Sequence, residues 1–264
     1  MDESQTIAES FLNARRAALS LAAFPGTQPR TLAAAYAVQE CMLATLPASP
    51  AAWKVGLIAP EQSATLGDNR LVGPVERLIE QGARGRGIAV PLIAGGFAAV
   101  EAELALLIGH DIPARAKAFD EADLAGYVSD MRIAAEIAGS PLAAIVELGP
   151  TAVVSDHGNN LAVVLGESIA DWRARALQSL VCTVSINNAV IASGSAEQVP
   201  GGPLAALSFL VQNLARRGRA LKKGDWVSTG AMTGVHPVGP GMLAELDFGQ
   251  DGRLTIGFDT QLPK

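Results

Sequence analysis

The apolar positions of this chain change period near residue 50. Over residues 4–20, Ile7, Phe11, Leu12 and Leu19 recur at roughly helical spacing, and a second such run passes through Ala35, Val38, Met42 and Leu46. Thr31 stands where a hydroxyl would cap the second helix. The linker AAFPGTQPR, with two prolines and a glycine, joins the pair, and PASP at 47–50 separates it from the remainder of the chain. From Trp53 onward short β-type runs take over: WKVGLI, Phe97 to Gly109, Met131 to Ala138, 161–165, 180–186 and 189–193. Asn187-Asn188 between the last two suits a tight hairpin, because asparagine tolerates positive φ. Helical patterning returns at Asp120 to Tyr127, with Asp120 as N-cap and Asp123 at the capping-box position, and at 203–217, opened by Pro203 and ended by Gly218. DWVSTG is a further strand, and MLAELDF and RLTIGF form a closing hairpin around GQDG. The glycine-rich stretch 61–96, including GARGRG and IAGG, is expected to be loops with short strands. Long β content with few helices implies an α+β chain whose sheet is closed or rolled, not a doubly wound α/β fold. A helical cap over residues 1–50 would precede a β unit over 51–264.

Within FAAVEAELALLIG, successive side chains alternate faces, so Glu101, Glu103, Ala105 and Leu107 share one side of the strand. Two adjacent carboxylates on such a strand mark either a solvated face or a site for a neutralising cation, for which a hard divalent ion with oxygen ligands is suited. Glu136, the lone acid of MRIAAEIA, would complete a three-acid site if its strand lies beside the first. Lys54 is the one charge in WKVGLI; it either reaches solvent or, beside a metal, holds a substrate carboxylate or carbonyl.

Composition narrows the partners. The formal charge of −6 gives no basic footprint for nucleic acid, and 49% hydrophobic residues with 17% charged are globular rather than disordered values. No apolar run reaches a membrane span, and the acidic start MDESQTIAESF is unlike a secretory leader, so a cytoplasmic location is expected. Cys41 and Cys182 lack metal-type spacing and are expected to be core thiols.

In their order and spacing, WKVGL, VEAELALLIG, AAEI, SDHGNNLAVVLG from Ser155, ALSFLVQNLARRGRALKKGDWVSTGAMT and HPVGPGMLAELDFG resemble the fumarylacetoacetate hydrolase superfamily, in its 2-keto-4-pentenoate hydratase and 4-oxalocrotonate decarboxylase branch. The likeness runs from about Trp53 to Phe258 and more loosely over the N-terminal helices. It implies a mixed β-roll, a magnesium or manganese ion held by Glu101, Glu103 and Glu136, a 2-oxo acid on that ion, and Thr233 at the substrate-binding turn. It also implies a homo-oligomer, with possible association between related hydratases and decarboxylases.

The chain departs from the family pattern at three places. Arg77 and Leu78 in GPVERLI replace an acidic pair, Gly139-Ser140-Pro141 replaces Asp-Ser-Arg, and Asp156-His157-Gly158-Asn159-Asn160 replaces Asp-Asn-Ala-Ser-Ser. The expected reaction is addition of water to an unsaturated 2-oxo acid of aromatic catabolism. Its rivals are decarboxylation of a 2-oxo diacid such as 4-oxalocrotonate and a non-catalytic partner role. Lys54 would anchor the oxo acid, with Glu76, Asp156 and His157 as candidate proton carriers and Asp156 preferred over His157, which reads as a loop residue. His110 and His236 read as structural. Arg77, Asn159 and Asn160 would meet the distal end of the substrate and favour a second carboxylate or other polar group there.

Overall fold

The computed structural model describes residues 2–46, 49–81, 87–114 and 119–261. GARGRG, apart from its last glycine, and Pro47 and Ala48 of PASP lie outside the described residues. Two helices come first, α1 (Glu3–Ala17) and α2 (Leu32–Ala44), the second capped by the Thr31 hydroxyl, which accepts from Ala34 N at 3.2 Å. Next come β1 (Ala52–Leu57), α3 (Pro60–Leu66), β2 (Arg70–Val75), β3 (Leu78–Glu80), β4 (Ile88–Ile93) and β5 (Phe97–Ile108). The middle of the chain forms α4 (Glu121–Tyr127), β6 (Val128–Ser140), α5 (Pro150–Ser155), β7 (Asn160–Ser168), β8 (Val181–Ile186) and β9 (Ala189–Ser195). The last part holds α6 (Gly202–Arg216), β10 (Trp226–Ser228), β11 (His236–Pro237), β12 (Leu243–Asp247) and β13 (Arg253–Gln261).

The strands make two mixed sheets, so the fold is α+β with curled sheets and a helical N-terminus. One has the order β2-β1-β10-β5-β6-β7-β3, with β11 added along β5; the other runs β4-β13-β12-β8-β9. Parallel pairs are β1 with β10, β3 with β7 and β4 with β13. Strands β5 and β6 lie at the centre of the larger sheet as a long antiparallel pair. Leu104, Leu106 and Ile133 from these strands join Leu246, Leu254, Ile256 and Phe258 of the second sheet in one core. Burial of both faces of β5 and β6 explains why their sequences read as almost unbroken apolar runs. The glutamates on them are therefore not on a solvated face.

Two helices go beyond what the sequence pattern predicts. Both α3 and α5 start with proline at the first helical position, and Gly67 ends α3 in a left-handed conformation at φ 82°. These are the ordinary start and stop signals, but each segment is too short for a hydrophobic period to show. The cysteines also differ from one another: Cys182 is buried as expected, with its thiol pushed up to about 12 by burial, whereas Cys41 is partly exposed. The Asn187-Asn188 hairpin forms with φ of 50° and 65°.

Helices α1 and α2 pack through Ile7, Phe11, Leu12, Val38 and Met42 onto Leu142, Ile145 and Ala152. Polar anchors then fix them against the sheet. Arg15 reaches inward from α1, its Nε 2.6 Å from Asp156 Oδ1, and donates to the carbonyls of Asn160 at 2.9 Å and Gly139 at 3.0 Å. The buried Gln39 amide of α2 donates to the carbonyls of Val72 and Val154, both at 3.0 Å. The Asp156 side chain is 0% exposed, so removing its cation would strand a buried carboxylate. Arg15→Ala should therefore cost about 3–5 kcal/mol of unfolding free energy in urea titrations. A loss below about 1 kcal/mol would place the pair among solvated contacts of little worth.

Candidate active site

The antiparallel register sets Glu101 of β5 directly opposite Glu136 of β6, and the two-residue period of β5 brings Glu103 to the same face. Like charges placed directly opposite destabilise a sheet unless something neutralises them. Glu103 is 1% exposed and Glu136 0%, and one carboxylate oxygen from each of the three lies within 4.8 Å of the others. Each of the two buried acids has one oxygen engaged by the protein. Glu103 Oε2 accepts from Ser228 Oγ at 2.5 Å and Gly230 N at 3.0 Å, while Glu136 Oε1 accepts from Asn160 Nδ2 at 3.0 Å. Their other oxygens, Glu103 Oε1 and Glu136 Oε2, are buried with no hydrogen-bond partner. Burial, followed by repulsion from Glu136, pushes the Glu101 carboxyl up to about 8 and lifts that of Glu103 well above the usual range. An all-oxygen donor set with unpartnered buried lone pairs fits a hard divalent cation.

Lys54 Nζ lies 3.3 Å from Glu136 Oε1 on a side chain that is 7% exposed. Burial works against its charge, but the attraction of Glu136, Glu101 and Glu103 outweighs that and raises its pKa. Lys54 and Glu101 line a cavity of about 400 Å³ whose wall also includes Gly158, Asn159, Gly234 and Val235. The chain reaches this wall through an unusual turn. His157, Gly158 and Asn159 have φ of 53°, 69° and 62°, three successive left-handed residues, which costs about 1–2 kcal/mol for each that is not glycine. Gly73, opposite Lys54 on β2, makes room for it: a Cβ there would lie 2.4 Å from the His157 carbonyl oxygen, and one on Gly158 would lie 2.7 Å from Gly73 Cα. Only glycine permits this contact at either position.

The sequence-predicted residues divide accordingly. Glu101, Glu103, Glu136 and Lys54 come together. Of the two asparagines, Asn160 donates its amide to Glu136 and is not among the residues lining the cavity, whereas Asn159 lines the wall with a buried Oδ1 that has no partner. Asp156 is not among the described residues lining the cavity; its Oδ1 pairs with Arg15, while its Oδ2 is buried without a hydrogen-bond partner. Arg77 lines a different depression, of about 300 Å³, with Arg15, Arg16, Glu76 and Asn160, and not the cavity that Lys54 lines. Thr233 sits in the loop whose neighbours Ala231, Gly234 and Val235 form the wall, with its own hydroxyl 3.1 Å from His236 Nε2. His236 is thus a buried loop anchor, and His110 is exposed.

His157 is more than a loop residue. It is 1% exposed, its Nδ1 lies 2.7 Å from Glu76 Oε1, and its Nε2 is buried without a partner. That hydrogen bond, ahead of the opposing effect of burial, holds the Glu76 carboxyl below its ordinary range. The pairing joins residues 81 positions apart, so no local pattern could have announced it.

The chain matches the C-terminal region of fumarylacetoacetate (FAA) hydrolase over residues 46–257. It is 29% identical over 181 residues to a 2-keto-4-pentenoate hydratase of Paraburkholderia phymatum, a match covering 68% of this chain and 66% of that relative. It is also 29% identical to a 4-oxalocrotonate decarboxylase of a Pseudomonas species, over 34% of each chain. Among solved structures, a 4-oxalocrotonate decarboxylase from Pseudomonas putida complexed with calcium and acetate superposes with a TM-score of 0.80, at 21% identity over 97% of both chains. Fumarylpyruvate hydrolase from Pseudomonas aeruginosa, in complex with Mn2+ and pyruvate, superposes with a TM-score of 0.57, at 14% identity over 80% of this chain and 89% of that one. The match over residues 46–257 takes in both sheets and all three glutamates, and the chain belongs to the fumarylacetoacetate hydrolase family.

Proposed function

We propose that this protein is a divalent-metal-dependent lyase that adds water to an unsaturated 2-oxo acid. The observation that carries the reading is the cluster of Glu101, Glu103 and Glu136 with Lys54 Nζ 3.3 Å from Glu136, opening through Lys54 and Glu101 into one cavity. Related proteins named as a hydratase and a decarboxylase, and fold neighbours solved with calcium, magnesium or manganese, support it. The three glutamates would hold the ion, magnesium or manganese, which when bound supplies Lewis acidity to the carbonyl and carboxylate of a 2-oxo acid.

The chain's own groups do the rest. Lys54 is the only cationic side chain among the described residues of the cavity wall, and it takes the substrate carboxylate. Ser228, Gly230 and Asn160 each hold one oxygen of Glu103 or Glu136, which fixes the two carboxylates and leaves Glu103 Oε1 and Glu136 Oε2 free to take the ion. For 2-hydroxypenta-2,4-dienoate, the enol proton is lost as C5 gains one. Water oxygen then bonds to C4 while C3 takes a proton, with no change of oxidation state overall.

Product analysis tests the reading: ultraviolet loss with 2-hydroxypenta-2,4-dienoate without carbon dioxide release is expected. Carbon dioxide from 4-oxalocrotonate at a higher kcat/KM would assign the decarboxylase reaction instead. Lys54→Met should keep divalent-ion binding and lose about 2–5 kcal/mol of 2-oxo acid affinity by calorimetry. Unchanged pyruvate affinity in that variant would remove Lys54 from the site.

Metal removal gives a pH signature. In the ion-free fold the Glu101 carboxyl titrates near 8 rather than near 4.5, so the folded chain holds a proton that the unfolded chain releases. The stability from that proton is full below about 4.5 and is lost as pH rises to about 8. Magnesium competes with the same proton. Its stabilising increment in Tm, over chelator-treated protein, should therefore be larger at pH 8 than at pH 6. Equal increments at the two values, or the same increment in Glu101→Gln, would count against these carboxylates as ligands.

A further inference from the structure

The cavity that holds Lys54 sorts ligands by what lies beyond the 2-oxo acid head. Its wall carries Leu57, Ile58, Leu71, Val146, Val153 and Val235, and its other described polar side chains besides Lys54 and Glu101 are the uncharged Gln62 and Asn159. Lys54 is already drawn by three glutamates and can serve one substrate carboxylate. Arg77, the residue that could have received a second, lines another depression. Among the described residues of the wall, a second carboxylate would thus find no further cation and would lie beside Glu101, which is costly.

The rim points the same way. Leu57, Val146 and Val235 are 47%, 52% and 52% exposed, and all three line this same cavity, as side chains at its solvent-facing edge would. Scattered exposed apolar residues need no explanation, but a group at the entrance of a cavity marks a surface that something apolar covers.

We propose, on the reading that the site binds a 2-oxo acid, that its ligands are monocarboxylates with an uncharged hydrocarbon tail several carbons long, and that it rejects diacids. The tail lies along Leu71 and Ile58 and emerges between Leu57, Val146 and Val235. Each methylene buried there tightens binding by about fourfold.

The test is calorimetry on the magnesium-loaded protein with pyruvate, 2-oxohexanoate and 2-oxoadipate. The last two share chain length and differ in the terminal carboxylate. Binding of 2-oxohexanoate should exceed that of pyruvate by at least about tenfold, three added methylenes being partly buried, and should exceed that of 2-oxoadipate by a similar factor. Val235→Lys, at an exposed position where a charge can be borne without loss of the fold, should raise 2-oxoadipate affinity and lower that of 2-oxohexanoate. Equal or tighter binding of 2-oxoadipate by the unaltered protein overturns the inference while leaving the 2-oxo acid reading in place. Binding of none of the three overturns both. If tail length has no effect while Val235→Lys changes the sedimentation coefficient, the rim belongs to a subunit interface and the inference fails.

Discussion

Three carboxylates that face one another inside a sheet are the constraint on which this structure depends. Glu101 and Glu136 are opposite one another in register, and Glu103 lies two residues along. Such an arrangement opposes folding unless positive charge and hydrogen-bond donors compensate it. The surroundings are organised to do so in part. Strand β1 supplies Lys54, β10 supplies Ser228, and the start of β7 supplies Asn160. Glu103 Oε1 and Glu136 Oε2 are left unpartnered. What remains uncompensated is the binding capacity of the site.

Much of this was legible because it is local. The Glu-x-Glu spacing on an apolar strand places two acids on one face by geometry alone, and the hairpin at Asn187-Asn188 and the cap at Thr31 are carried by neighbouring residues. The illegible parts depend on distant partners or on a single-residue offset. Asp156 and Asn160 have polar sequence neighbours, and the partners they take, Arg15 and Glu136, lie far along the chain where no local pattern shows them. Asn159 and Asn160 differ in role because the backbone turns left-handed through one and returns to an extended conformation at the other. Arg77 lies just beyond β2 in the chain, yet lines a different depression from Lys54 on the neighbouring strand.

The left-handed turn illustrates how strain is carried near a functional site. Three successive positive φ values persist because their surroundings over-determine them: the Glu76 contact on His157, the Arg15 pair on Asp156, and the bare backbone of Gly73 underneath. In return, Gly158 and Asn159 are brought into the wall beside Lys54.

The reach of Arg15 has a consequence for how the molecule is assembled. None of the described residues lining the cavity precedes Lys54, yet Arg15 bonds to Gly139, Asp156 and Asn160, partners 124 to 145 positions later in the chain. Helix α1 leaves the ribosome before these partners and must wait for the 124 to 145 positions between them to follow before its contacts exist. Such late, long-range closure belongs to slow folding. It also makes helix α1 a latch, engaged from outside, on a cavity to whose described wall it contributes no residue.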